Sequence, residues 1–180
     1  FAMSIVPGWH GTIFAPYFVA GAIYSGVGMV LTLIIPLRKA LKLEHMITEF
    51  HFDNLAKLTL LTGSILFYAY AMEYFIGWYS ANTFEQTTFW RRAFGPMWWG
   101  GWTMITCNAF VSQLFWFKKV RTNLTALFVI SIFINIGMWF ERYVIIVSSL
   151  ANDYLPYAWD NMRPTWADWG ILAGSFGWFG

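Results

Sequence analysis

The chain has 180 residues, of which 58% are hydrophobic, 22% aromatic and only 11% charged. Soluble domains carry about 25% charged residues, so this composition is typical of an integral membrane protein. The net charge of +2 is too small to indicate a nucleic-acid partner. The single cysteine, Cys107, excludes an internal disulfide and a thiolate metal cluster.

A helix needs about 20 consecutive apolar residues to span the hydrocarbon core. Four stretches meet this requirement and a fifth begins near the end of the chain, so we predict an all-α integral membrane fold. The prediction is a single four-helix transmembrane bundle plus the start of a fifth helix, with helices over residues 13–37, 54–79, 94–117, 123–150 and 166–180. Since the chain opens on Phe1 and its last apolar run reaches Gly180, we expect residues 1–180 to be an excerpt of a longer subunit.

The basic residues of the connections predict the orientation, because basic loops stay on the cytoplasmic side. The connections after the first and third helices hold most of them: Arg38, Lys39, Lys42, Lys118, Lys119 and Arg121. The other two connections hold only Arg91, Arg92 and Arg163 and are rich in Trp and Tyr. We therefore place these aromatic connections outside, where they form an interfacial belt or pack on an extrinsic protein.

Ionisable side chains within the spans are functional candidates, because they are costly in lipid unless paired or hydrated. Glu73 lies in the outer half of the second helix, and Glu141 and Arg142 lie in the outer half of the fourth. Counting from the helix centres places Glu73 and Arg142 at similar depth, which predicts an ion pair between these helices. Alternatively, the pair only fixes helix register, or Arg142 extends outward to the interface.

Two further candidates lie at helix starts. His10, in PGWHGTIF, precedes the first helix at the outer interface, where its imidazole can exchange protons with water and contact a lipid-phase ligand. The alternative is a histidine bonded to a backbone carbonyl. Asp53 opens the predicted second helix, where it either caps free amides or takes up protons from the cytoplasm with His51 and Glu49.

Several motifs are missing from the sequence. None of the three histidines lies deep in a predicted helix, as the axial ligands of a membrane haem must. The sequence has no Walker loop, dinucleotide fingerprint, HExxH or cysteine cluster, so we expect the chain to bind no metal or cofactor by itself. The first four predicted helices also lack the paired mid-membrane interruptions of a transporter.

Five segments carry a resemblance to a known family: SIVPGWHGTIFAPYFVAGAIYSG, IPLRKALKLEHMIT, HFDNLAKL, YAYAMEYFIGWYS and FGPMWWGGW. Together they resemble the polysulfide-reductase (NrfD-like) membrane subunits, and most of all the C subunit of bacterial alternative complex III. The resemblance implies the second four-helix bundle of a subunit with about ten helices. It also places much of the family's quinol pocket in the first bundle, which is missing from this excerpt.

The resemblance further implies a multi-pass subunit of the bacterial cytoplasmic (inner) membrane that takes part in menaquinol oxidation near the outer face and possible proton translocation. Electrons would pass to iron-sulfur clusters of an extrinsic subunit and to haems c of cytochrome c subunits, with further membrane subunits and lipid as neighbours. Trp9, His10 and Phe14 are the quinol-binding candidates, since a quinol needs proton acceptors and an aromatic wall. The candidates for a proton path or for coupling are Asp53, Glu73, Glu141 and Arg142. The alternative function is a membrane anchor that only holds redox subunits.

Overall fold

The computed structural model describes residue 9 and residues 11–95, 98–151 and 165–179. Within these residues all regular structure is helical, which confirms the predicted all-α class. The elements in chain order are α1 (Phe14–Ala40), α2 (Glu49–Tyr79), α3 (Thr83–Phe94), α4 (Trp98–Ile105), a π turn (Thr106–Phe110), α5 (Val111–Gln113), a 3₁₀ turn (Leu114–Trp116), α6 (Lys118–Arg121), α7 (Leu124–Ala151) and α8 (Trp166–Phe179).

Three helices of the described chain are long and apolar enough to cross a membrane: Phe14–Ala40, Glu49–Tyr79 and the Leu124–Val147 part of α7. With a rise of about 1.5 Å per residue, α1 extends about 40 Å, which exceeds the hydrocarbon thickness of about 30 Å. These three helices overlap three of the predicted helices, those over residues 13–37, 54–79 and 123–150. The chain is a multi-pass membrane protein.

The start of α2 corrects one prediction. The helix begins at Glu49, five residues before the predicted start, with Thr48 as its N-cap. The backbone N–H of Thr48 donates to Nδ1 of His51 at 3.3 Å, as in a capping box. Asp53 therefore lies inside the helix, and its predicted capping role is wrong. The start was predicted too late in the chain because the polar residues of the first turn interrupt the apolar run that indicated the span.

The other helix ends lie close to their predicted positions. Asn123 caps α7, since its Oδ1 accepts the Thr125 amide at 3.0 Å. At α8, the Thr165 amide and hydroxyl both donate to Asp168, each at 2.7 Å. In α1, Pro36 lies inside the helix, which continues to Ala40 instead of ending at the predicted residue 37.

The predicted helix over residues 94–117 is not one continuous α-helix. The chain instead forms α4, the π turn, α5 and the 3₁₀ turn in succession. A π turn inserts an extra residue into a helix and shifts the side chains that follow it around the axis. This segment packs on α2 and α7, so its irregular part lies within the bundle rather than at its margin.

Helix α3 was not predicted, because its residues fall in what the sequence indicated to be an outer connection. Asn82 caps this helix, its Oδ1 accepting the Phe84 amide at 3.1 Å. The side chains of Glu85 and Arg92 are buried, whereas Trp90 is 64% exposed. The helix is amphipathic and contacts α2, α4 and α7, so its charged residues enter the bundle from its predicted outer end.

The bundle is held together by close packing of α1 on α2 and α7, and of α4 on α7. A side chain at Gly28 of α1 would lie 2.8 Å from Ile134 of α7, so the small residue permits this approach, as expected for helices in lipid. Across the same interface, Asn135 donates to the Thr32 hydroxyl at 2.8 Å, and that hydroxyl donates to Ser131 at 2.9 Å.

Candidate functional site

Glu141 lies at the centre of a buried polar cluster formed by α2, the π turn and α7. Its side chain is 1% exposed. The Tyr70 hydroxyl of α2 donates to Glu141 Oε2. The Asn108 amide donates to the same oxygen at 2.9 Å and also contacts the Tyr70 oxygen at 3.0 Å. The three side chains therefore form a closed hydrogen-bonded triangle, which we call the carboxyl cluster.

The π turn is what places Asn108 in this cluster. Its backbone carbonyl accepts hydrogen bonds from the Ser112 hydroxyl at 2.8 Å and the Tyr24 hydroxyl at 3.3 Å. On the other side, the Asn108 amide oxygen and Cys107 lie directly against Gly137 of α7, where a Cβ atom would overlap both. The extra residue of the π turn and the missing side chain at Gly137 together let the Asn108 amide reach Glu141.

The side chains that donate hydrogen bonds to Glu141 are electrically neutral. The next residue, Arg142, extends over the Phe18 ring of α1, with its guanidinium carbon 4.2 Å from the ring centre. No ion pair joins Glu141 to another side chain among the described residues. Because buried charge without a counterion is costly, and neutral donors impose no fixed countercharge, this carboxyl group can take up and release a proton.

Glu73 has a different partner from the one that was predicted. Its carboxylate lies 3.4 Å from the Arg92 guanidinium of α3, and Arg142 contacts Phe18 instead. The predicted Glu73–Arg142 ion pair is therefore wrong, because the unpredicted helix α3 brings Arg92 close to Glu73. Since both side chains of the observed pair are largely buried, it ties α3 to α2.

The Glu73–Arg92 pair continues toward residue 9. Arg92 donates to the Ser149 hydroxyl of α7 at 3.3 Å, and the Trp9 indole N–H donates to the same hydroxyl at 2.9 Å. Trp9 stacks on Phe14 with 5.6 Å between ring centres. The structure thus brings together two of the predicted quinol-binding residues, Trp9 and Phe14, whereas His10 lies outside the described residues.

Asp53 lies at the opposite end of α2, far from the carboxyl cluster. Its carboxylate contacts Lys57 at 2.5 Å and the Arg121 guanidinium at 3.0 Å. Arg121 also donates to the Phe115 carbonyl at 3.1 Å. This arrangement, which we call the inner ion cluster, joins the start of α2 to α6 and includes the predicted i,i+4 contact with Lys57.

An open cavity of about 220 Å³ lies between the end of α2 and α3, and most of its wall is aromatic. The side chains that line it include Tyr74, Trp78, Phe89, Trp90 and Phe94. Such a wall suits an apolar ring or chain. The described residues contain no group of three or more His, Cys, Asp or Glu side chains that could hold a metal ion.

Reasoning from the sequence did not identify Tyr70, Arg92 or Ser149 as site residues. In the sequence, Asn108 is one of many polar residues within the apolar runs, and nothing singles it out. No local signal distinguishes these residues, because their partners are 19 or more positions away along the chain.

Comparison with known protein families relates the chain to one of them. The model of a protein family described as "Polysulphide reductase, NrfD" matches residues 1–152, which include the carboxyl cluster, the Glu73–Arg92 pair and the inner ion cluster. No curated protein matches the chain.

Proposed function

The chain belongs to the polysulphide reductase NrfD family, and on this basis we propose that it helps a respiratory complex to oxidise menaquinol. Members of this family are membrane subunits of redox enzyme complexes and typically partner with iron-sulfur subunits. Within the proposal, the complex lies in the bacterial cytoplasmic membrane and resembles alternative complex III. Electrons pass to iron-sulfur clusters of an outer subunit and then to haems c of cytochrome c subunits.

The observation that carries the proposal is the carboxyl cluster. Quinol oxidation releases two protons for each pair of electrons, so the membrane subunit needs groups that accept protons away from bulk water. Glu141 is a buried carboxyl group with neutral partners on two other elements. A polar cluster of this kind is unfavourable in a protein that only spans lipid, which supports a role in proton transfer.

The quinol ring is proposed to lie near the start of α1, against Trp9 and Phe14, with His10 as an acceptor for a hydroxyl proton. The stacked rings at 5.6 Å offer an aromatic wall, and the indole N–H is already engaged with Ser149. The Glu73–Arg92 pair lies beside this wall through the shared Ser149 contact. The charges of Glu73 and Arg142 are proposed to influence how readily Glu141 binds a proton. Proton translocation would use the Glu141 carboxyl group.

The third membrane crossing is proposed to be the irregular segment of residues 98–116. Its 19 residues are enough for the hydrocarbon core, and its contacts with α2 and α7 fit a helix within the bundle. With α1, α2 and α7 it completes a four-helix bundle, and α8 begins a fifth crossing. In this arrangement the inner ion cluster faces the cytoplasm, and α3 lies at the outer surface.

A second candidate function is a membrane anchor for the redox subunits. The observation that favours it is that arginine side chains hold several elements together. Arg92 pairs with Glu73 of α2 and donates to Ser149 of α7, and Arg121 joins α6 to α2. An anchor requires these contacts but has no need of a titrating carboxyl group at Glu141.

Turnover of the assembled complex separates the two functions. Menaquinol oxidation would be measured in membranes carrying His10→Ala or Glu141→Gln, with assembly checked by co-purification of the iron-sulfur subunit. Lost turnover in an intact complex supports quinol or proton chemistry in this bundle. Wild-type turnover in both variants would favour the anchor and would place the chemistry elsewhere in the complex.

A further inference from the structure

Tyr17 of α1 carries a buried hydroxyl group without a hydrogen bond. The side chain is 3% exposed, and its hydroxyl has no hydrogen-bond partner among the described residues. Buried polar groups are nearly always paired, since an unpaired one loses its contacts with water and gains nothing in exchange. A phenylalanine would fill the same space in this apolar helix without an unpaired hydroxyl group. The hydroxyl of Tyr17 therefore needs a functional explanation.

The position of Tyr17 between the carboxyl cluster and Phe14 suggests a function for its hydroxyl group. Its ring makes an edge-on contact with Tyr70 of the carboxyl cluster, with 5.6 Å between ring centres, and its hydroxyl lies close enough to Glu141 to interact with it. On its other side, the ring lies 6.1 Å from Phe14, which stacks on Trp9. Tyr17 is therefore the residue that lies between the proposed quinol wall and the buried carboxyl group.

We propose that the Tyr17 hydroxyl is a proton relay between a quinol bound against Trp9 and Phe14 and the Glu141 carboxylate. The inference rests on the proposed function. In each transfer a quinol hydroxyl gives its proton to the Tyr17 oxygen while the proton of Tyr17 passes to Glu141, so the phenol is regenerated. The electrons go to oxidised iron-sulfur clusters of the partner subunit. Glu141 releases the first proton to water on the outer side of the membrane before it accepts the second.

Both partners of this transfer have a free position. The two hydrogen bonds from Tyr70 and Asn108 go to Glu141 Oε2, and within the described part of the chain Oε1 accepts none. The unpaired hydroxyl of Tyr17 can rotate, donating to Oε1 of the ionised carboxylate or accepting from the neutral acid. Among the residues that the structure describes, the charged groups that act on this position are Glu73 on α2 and Arg142 on α7.

The Tyr17→Phe variant tests the relay in the assembled complex. It removes only the hydroxyl group, and because that group makes no hydrogen bond, assembly should be unchanged. Tyr143→Phe is the matched control, since Tyr143 also lies in a span, two residues from Glu141, but stacks on Trp139. We expect menaquinol oxidation to fall at least about tenfold in Tyr17→Phe and to stay at the wild-type rate in the control. A wild-type rate in Tyr17→Phe would overturn the relay.

Two further measurements complete the test. If Glu141→Gln loses turnover and Tyr17→Phe does not, only the relay fails; if Glu141→Gln also keeps turnover, the proposed function fails as well. Difluorotyrosine placed at position 17 keeps the ring and hydroxyl but makes the phenol more acidic. It should change the oxidation rate, whereas an unchanged rate would contradict a relay even if the phenylalanine variant failed to assemble.

Discussion

The bundle holds carboxyl groups in two contrasting surroundings. Asp53, in the inner ion cluster, contacts two cations, and its side chain is 22% exposed. Glu141, in the carboxyl cluster, is 1% exposed and contacts only neutral donors. A carboxylate between two cations stays charged and holds helices together, whereas one among neutral donors can change its charge. The partners of a carboxyl group, more than its presence in a helix, therefore indicate which one takes part in chemistry.

The largest effect is expected at the carboxyl cluster. Glu141→Gln has the same size and keeps a carbonyl oxygen for Tyr70 and Asn108, but it cannot exchange a proton. We expect menaquinol oxidation by the assembled complex to fall at least about 100-fold. The measurement is turnover per complex, with co-purification of the iron-sulfur subunit as the control for assembly. If turnover stays within a few-fold of the wild-type rate, Glu141 does not exchange protons during the reaction and does not differ from Asp53 in this respect.

The next largest effect concerns stability and involves the Glu73–Arg92 pair. Arg92→Met leaves Glu73 without its cation in a largely buried position, which should destabilise the bundle by about 3–5 kcal/mol. Reversible unfolding of the purified subunit in mixed micelles measures this change. The double variant Glu73→Gln/Arg92→Met is the control and should recover part of the loss. Equal stability of Arg92→Met and wild type would show that the pair does not tie α3 to the bundle.

A smaller effect is expected from disturbing the position of Asn108 without touching the carboxyl group. In Gly137→Ala the added methyl group overlaps the Asn108 amide and Cys107, so the variant should be destabilised by about 1–3 kcal/mol and should also lose turnover. Gly26→Ala in α1 is the matched control, because a methyl group there meets no other atom within 4 Å. Similar stability of the two variants would contradict the close contact between α7 and the π turn.

The smallest effect is expected in the inner ion cluster. Asp53→Asn weakens the contacts with Lys57 and Arg121, but these side chains are partly exposed, and water screens their charges. Turnover should stay within about twofold of wild type. A large loss of turnover in an assembled Asp53→Asn complex would instead support the alternative in which Asp53 takes up protons from the cytoplasm.

The long helices could be predicted well from the sequence, whereas the segments that connect them could not. The apolar runs around Tyr24, Leu66 and Ile134 predicted α1, α2 and α7 because hydropathy over about 20 residues is a local property. The amphipathic α3 was not predicted, since Glu85, Arg91 and Arg92 give residues 83–94 the appearance of a polar connection.

For the candidate site, Glu73 and Glu141 were identified because charge within an apolar run is rare. Their partners were not, because Arg92, Tyr70 and Asn108 reach them only through tertiary packing. The π turn was not predicted either, and Gly137, which leaves room for the Asn108 amide, lies on a different helix. Arg142 was predicted as the partner of Glu73 because the two residues have similar depths along straight helices. Depth alone gives neither the position of α3 nor the direction in which a side chain extends.

The contrast between the two carboxyl groups implies that Glu141, and not Asp53, exchanges protons during turnover. Infrared difference spectra of the assembled complex, recorded between its oxidised and quinol-reduced states, detect this exchange through the carbonyl stretch of protonated carboxyl groups. We expect a band in the wild type that is lost in Glu141→Gln and kept in Asp53→Asn. A band that persists in Glu141→Gln, or one that disappears in Asp53→Asn, would show that Glu141 does not exchange the proton.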